Sequence, residues 1–478
     1  MFSDWDNFYE DDETLDVLKR YREMVDQNIS MYFDLYEYEC IIDYYIDKFN
    51  FKDAFHAIGF AIKQHPHSSA LKLKYIQLLI ENGKPGKALG IIRCIQDAES
   101  TNYELFLAKG IALNLTCKFN EAQSEFRKAL QLCTENRDEL AYSIAQSFIQ
   151  IDKSVQAVKY LQLAFEYNQD NLLVLYDLAM NYERLDFPEK GILYYKKYLD
   201  LDPFAEHVWN NLGLLYSSLD DFEHACEAFD FATAINIHYF SAYFNKADLF
   251  FYRNDMPGAI QVYREVLAQD VTNTRALCDL GNCYEENGNY EEALRSFKSA
   301  ILIAQDCADA WFGKGMVYFR QKRYRLSISC FKKTVSIQSD NSDYWFMLGE
   351  AFSRSRRLDQ AIDAYSRASS LNPLDYEAWM ACAQVLFRKK RVGEAIGLLA
   401  QLYQYNHENP TINYRLAAYH AYQQDYMNAI KYFERGLKLN YHEHHEMFKL
   451  FPKTKSVPVF WNLLENHFQS NPPLQKIK

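Results

Sequence analysis

The sequence predicts an all-helical α-solenoid of about twelve 34-residue helix-turn-helix repeats, with a capping helix at each end. Three observations carry this reading. Trp311, Trp345 and Trp379 stand 34 residues apart, and Trp209 lies three such periods before Trp311. With each tryptophan as the fourth residue of its repeat, repeats begin at 35, 69, 103, 138, 172, 206, 240, 274, 308, 342, 376 and 410, and only one interval is 35 rather than 34 residues. Self-similarity on a fixed period is the mark of a stacked array. The second observation is that apolar residues at positions 4, 7, 8 and 11 of each repeat keep to one helical face, while those at 20, 24 and 27 make another, so each repeat is a helical hairpin. The third is that the 478 residues include only 16 glycines and 11 prolines, too few for turn-dense sandwiches or barrels.

Taken in order, residues 1–34 are an acidic opening segment followed by a candidate capping helix at 14–28, TLDVLKRYREMVDQN. Residues 35–443 are the array. Small residues at position 8 (Gly110, Gly213, Gly281, Gly315, Gly349) and at position 20 (Ala122, Ala225, Ala293, Ala361, Ala395) are expected to face one another where the two helices cross. Turns such as ENGN at 286–289 join them. One hairpin cannot bury its apolar faces alone, so neighbours must stack. Residues 444–478 supply a closing helix, VPVFWNLLENHF at 457–468, and a tail with Pro472 and Pro473.

The repeat at 342 shows the pattern most fully, with Trp345, Leu348, Gly349, Phe352, Ala361, Tyr365, Ala368 and Pro373. The same positions hold Trp209, Leu212, Gly213, Tyr216, Ala225, Phe229 and Ala232 in one earlier repeat, and Leu280, Gly281, Tyr284, Ala293, Phe297 and Ala300 in another. This resembles the tetratricopeptide repeat over residues 35 to about 443. The outer repeats depart from it, with Tyr75 and Ile76 or Leu416 and Ala417 where Leu-Gly is usual. The resemblance implies a right-handed superhelix whose first helices line a concave groove, with positions 2, 5, 6, 9, 12 and 13 pointing inward. Carried over, these are Asn210, Asn211 and Leu214; Phe244, Asn245, Asp248, Phe251 and Tyr252; and Asp279, Asn282 and Glu285. They continue with Phe312, Met316, Phe319 and Arg320; Phe346, Met347, Glu350 and Arg354; and Met380, Gln384, Phe387 and Arg388. Aromatic, methionine and amide side chains of this kind suit a peptide.

Charge adds a second candidate surface. The net charge of -12 disfavours a general nucleic-acid binder. Yet FRQKRYR (319–325), SRSRR (353–357) and FRKKR (387–391) fall at equal positions of three consecutive repeats. They must lie side by side and bring together Arg320, Lys322, Arg323, Arg325, Arg354, Arg356, Arg357, Arg388, Lys389, Lys390 and Arg391. An ordinary solvated face mixes signs.

Catalytic signals are sparse. There is no P-loop, GxSxG, HExxH or dinucleotide glycine motif. His442, His444 and His445 lack an obvious further ligand and read as a solvated cluster rather than zinc ligands. The tryptophans read as interhelical core. The ten scattered cysteines, with no CxxC pair, suit a reduced, cytoplasmic protein. The acidic start is no secretion signal, and no apolar run reaches membrane-helix length.

The expectation is a non-enzymatic, cofactor-free scaffold that holds a protein or peptide segment in the groove and along the basic edge of repeats 9 to 11, preferring an acidic stretch. The alternative is a platform for RNA or membrane phosphates. The opening segment, with Asp4, Asp6, Glu10, Asp11, Asp12, Glu13 and Asp16 among Phe2, Trp5, Phe8 and Tyr9, would suit the basic edge of a second copy in weak head-to-tail association, or else serves as a solubilising tail.

Overall fold

A computed structural model describes residues 12–27 and 29–470. Among these, all regular structure is helical, and no strand occurs. The twelve repeats recur with little variation in length. Every first helix has 13 residues, from Leu35–Asp47 to Pro410–Tyr422, and eleven of the twelve second helices have 14. The exception is Pro85–Ile95, with 11. First helices start at the residues the register predicts except Arg137–Ile149, which starts one residue early.

Local chemistry explains where the helices start. Asp34, Ser68, Asn102, Asn171, Asn273, Asn341, Asp375 and Asn409 each cap a first helix by accepting a backbone N–H. Asp34 and Glu37 cap one another reciprocally. The stop signal is conformational. Position 15 is left-handed in all twelve repeats, with φ between 53° and 77°, whether it is Phe49, Gly83, Asp186, Gly288, Lys322 or Gln424. In repeat 9 the N–H of Lys322 reaches the Phe319 carbonyl at 2.9 Å, and that of Arg323 reaches the Tyr318 carbonyl at 2.8 Å. This closure satisfies the carbonyls that a helix leaves open.

Packing corrects one expectation. The small residues of position 8 do not chiefly face position 20. A Cβ added to Gly213, Gly281, Gly315 or Gly349 would meet the aromatic ring at position 24 of the same hairpin, within 2.7 Å of a ring carbon of Phe229, Phe297, Phe331 or Tyr365, and one on Gly110 would strike Phe126. The ring lies across the helix crossing, and glycine makes room for it. The expected approach of position 20 to position 8 is seen where the glycine is at position 20: a Cβ on Gly191 would lie 3.2 Å from the Ala179 carbonyl oxygen. Position 20 is otherwise alanine or Ser327, fully buried.

The tryptophans differ from expectation too. Trp209, Trp311 and Trp345 are only half-buried. Each donates its indole N–H to a carbonyl six residues back, that of Pro203, Gln305 or Ser339, at 2.9–3.0 Å. They pin the loop between repeats, an amphipathic use of the ring. Trp379 alone of this set is buried, and its Nε1 has no partner.

By internal contact the chain divides into two compact units, Met1–Ala242 and Tyr243–Lys478, a division the 34-residue period runs through unbroken. In the N-terminal unit, helix Asp12–Asp26 buries Leu18, Tyr21 and Met24 in one cluster with Phe33 of the connecting loop and Tyr38 and Tyr45 of the first repeat. In the C-terminal unit, helices His445–Leu450 and Pro458–Ser470 bring Phe448 and Phe460 to 5.9 and 5.3 Å from Phe433. Trp461 there repeats the pinning bond, donating to the Lys455 carbonyl at 2.7 Å.

Candidate interaction surfaces

The first-helix residues expected to point inward separate into packed and accessible sets. Asn210, Phe244 and Met380, all at position 5, are buried. The cause recurs: a position-5 side chain leans onto the ring at position 24. Phe244 lies 6.0 Å from Tyr263, Phe312 5.5 Å from Phe331, and Phe346 5.7 Å from Tyr365. Phe312 also meets Tyr344 at 4.8 Å. Phe387 is stacked 4.4 Å from Tyr419, and Phe319 stands edge-on to Tyr324 at 5.5 Å. Asn211 donates to the Tyr176 hydroxyl at 3.1 Å. Asn211, Asn245, Met316 and Met347 are half-buried, whereas Asp248, Asn282 and Gln384 are exposed. The aromatic share of this face is therefore largely spent on the protein's own packing.

The cations of repeats 9 to 11 divide likewise. Arg320 turns back to the preceding repeat, where its Nε stands 2.6 Å from Glu285, as an ion pair rather than an aligned hydrogen bond, and its other nitrogens bond Glu286. Arg354 lies 3.6 Å from Glu350, itself the acceptor of the Tyr365 hydroxyl at 2.6 Å. Lys389 pairs with Asp359, and Arg391 with Glu394 at 2.6 Å. The remaining seven, Lys322, Arg323, Arg325, Arg356, Arg357, Arg388 and Lys390, are exposed and have no acidic partner among the described residues. Shallow depressions recur at this edge: one is lined by Lys322, Arg323, Arg325 and Ser355, and its counterpart two repeats on by Lys390, Arg391, Tyr422 and Gln423.

Carboxylates on the first helices feel the reduced access to water. Burial, with Asp248 and Asp309 nearby and Arg275 opposing, pushes Asp279 up to about 6. Burial also raises Glu285 and, in the N-terminal unit, Asp177, to which Tyr142 donates at 2.9 Å, while partial loss of hydration raises Asp248 although its side chain stays at the surface.

The N-terminal unit holds a surface that the sequence reading missed. Repeats 2 to 4 line a cavity of about 530 Å³, open to solvent on one side, with Ile80, Leu107, Ala108, Ile111 and Ile149 as its apolar lining and Gln77, Glu81, Glu104, Ser143, Gln146, Ser147 and Gln150 completing it. Apart from Ser147 these occupy positions 2, 5, 6, 9, 12 and 13, so the rule applied to repeats 6 to 11 would have found them. A thiol pair was missed too, Cys278 and Cys307 at 3.8 Å, because 29 residues separate them. His444 and His445 each set Nδ1 against a backbone carbonyl, and among the described residues no His/Cys/Asp/Glu group is arranged to hold a metal. None of the described helices is long and apolar enough to cross a membrane.

Comparison with known proteins agrees with the repeat geometry. The signature of the cytochrome c-type biogenesis protein H TPR domain matches residues 330–445. Tetratricopeptide-repeat signatures match 251–316, and 206–236 with 308–341. The general transcriptional corepressor ssn6 of Schizosaccharomyces pombe is 27% identical over 117 residues, 24% of this chain but only 11% of that protein. Solved structures overlap in part. The C-terminal part of a TPR repeat-containing protein from Cytophaga hutchinsonii gives a TM-score of 0.42 at 14% identity, covering 50% of this chain and 98% of that one. YrrB, described as a TPR protein with an unusual peptide-binding site, gives 0.36 at 19%, covering 40% and 98%. Register, hairpin geometry and signatures together identify the chain as a member of the tetratricopeptide-repeat family, whose members generally act as protein-interaction scaffolds and are typically non-catalytic.

Proposed function

We propose that this chain is a non-enzymatic scaffold whose C-terminal unit captures an acidic segment of a partner protein along the turns of repeats 9 to 11. One observation carries the reading: seven exposed cations, spaced by the structural period, have no internal counter-charge. Exposed charges act over about 8–10 Å at physiological ionic strength, so a partner feels their sum rather than each alone. Arg320 and Arg354 belong to the protein's own ion pairs and are secondary to this surface. Exposed Asp248, Asn282 and Gln384 give the first-helix face polar contacts for an extended chain.

Lys322, Arg356 and Lys390 offer a clean test because all three are left-handed, with φ of 60–63°. Replacing them together by glycine removes three charges and relieves a backbone conformation disfavoured for side chains, so stability holds or rises. Binding of an acidic peptide, read by fluorescence anisotropy, should fall and lose most of its salt dependence. Unchanged affinity would refute the edge. A mixed-sequence RNA titrated in parallel decides the phosphate alternative. Residues 1–11, the acidic segment proposed to reach the basic edge of a second copy, lie outside the described residues. Light scattering at low and high salt, with and without residues 1–13, tests that association.

A further inference from the structure

The cavity in repeats 2 to 4 is lined by two carboxylates, Glu81 and Glu104, and by no lysine, arginine or histidine. Neither carboxylate has an ion-pair partner among the described residues. Partial loss of hydration raises the Glu81 carboxyl although it stays at the surface, and the negative charges of Asp47 and Asp43 raise it further. The nearby cation, Lys74, is already paired with Asp43. Beneath this rim the floor is aliphatic, and Gln77, Ser143 and Gln150 offer both donors and acceptors at its margin. Apolar floor, amide margin and unopposed negative rim define a complementary ligand. It is a short stretch of polypeptide with aliphatic side chains to seat and a cation to place at Glu81 or Glu104. A neutral apolar ligand would leave the rim uncompensated, and an acidic one would be repelled by it.

We propose that this cavity is a second docking site, for a basic and aliphatic segment of a partner chain. It does not rest on the basic edge of repeats 9 to 11, and its charge preference is the opposite. A chain so equipped engages two segments of contrasting composition, one on each unit.

The test uses the full chain and two labelled octapeptides, one alternating leucine with lysine and the other leucine with glutamate, followed by anisotropy at two salt concentrations. Three variants probe the cavity: Glu81→Gln with Glu104→Gln, Leu107→Lys, and Ile111→Trp. The first removes the rim charge, the second installs a resident cation on a half-buried floor position, and the third fills the space without altering charge. The lysine peptide is expected to bind the parent chain and to lose about tenfold in affinity in each variant. Its affinity should also fall with salt. The glutamate peptide should be unaffected by all three. An unchanged lysine peptide in Ile111→Trp would mean that it is held by the chain's overall negative charge, and would overturn the site. A glutamate peptide weakened by Ile111→Trp would overturn the charge selection. Thermal melts accompany each variant, and the exposed Glu81→Gln/Glu104→Gln pair keeps the test open if Ile111→Trp is poorly folded.

Discussion

In repeats 2 to 4 the first helices floor a cavity rimmed by Glu81 and Glu104, whereas in repeats 9 to 11 the turns carry Lys322, Arg356 and Lys390. Beneath these opposite surfaces the hairpin is nearly the same object: Gly110 opposes Phe126 in the N-terminal unit as Gly281 opposes Phe297 in the C-terminal one. Positions 8, 20 and 24 are held to a volume constraint. Positions 13 and 15 lie at the surface in nearly every repeat and are free to carry charge. The difference teaches that fold and recognition are written at separate positions of one repeat, so each can be perturbed without the other.

The largest effects should come from the shared positions and be equal in both units. Gly110→Ala and Gly281→Ala should each cost about 1–3 kcal/mol, because a Cβ strikes the ring, and Ala361→Leu should cost a similar amount. Adding Phe297→Leu to Gly281→Ala recreates the Ala145 and Leu161 pair of repeat 4. The double variant should then lose less than the sum of its parts in urea denaturation. Strictly additive losses would show that ring and glycine are not coupled.

Asp279, in the C-terminal unit, ties stability to pH. Its folded-state carboxyl, near 6, lies above the usual range, so the folded chain holds this proton more tightly than the unfolded chain does. Stability from this group is therefore lost as pH rises from about 4 through 6. Asp279→Asn should stabilise the chain at pH 7.5 by about 1–2 kcal/mol, allowing for partial exposure, and by almost nothing at pH 4. Melting curves across that range check the sign; a gain that grows toward acid would contradict it.

Smaller still is the ion pair that closes the junction of repeats 8 and 9. Arg320→Gln leaves Glu285 buried without its cation and should cost about 1 kcal/mol, with the loss shrinking as pH falls and the raised Glu285 carboxyl protonates. The least effect is expected at the turns. Arg356→Gly should gain up to about 1 kcal/mol, and Gly83→Arg in the N-terminal unit should lose about as much.

The sequence made the array readable because its constraint is periodic: Trp209, Trp311 and Trp345 mark the register, and position 20 admits only small side chains. The surfaces were harder to read. Position 5 was expected to face a ligand, yet Phe244 and Met380 are buried, since a helix position names a direction and not the neighbour that fills it. Arg320 read as one of eleven free cations, although Glu286 stands one period before it at the same position and could have announced the pair. The cavity of repeats 2 to 4 was overlooked because its repeats match the family pattern poorly, although their inward positions obey the same rule.

Phe297 lies against Gly281 of its own repeat and also against Gly313 of the next, where an added Cβ would again strike its ring. One side chain thus belongs to two hairpins at once. In an array where each member touches only its neighbours, cooperativity is the sum of such junctions. A junction bolted by a shared ring opens as a pair or not at all, so amide exchange in repeats 8 and 9 should report one common opening event, and Phe297→Leu should split it into two.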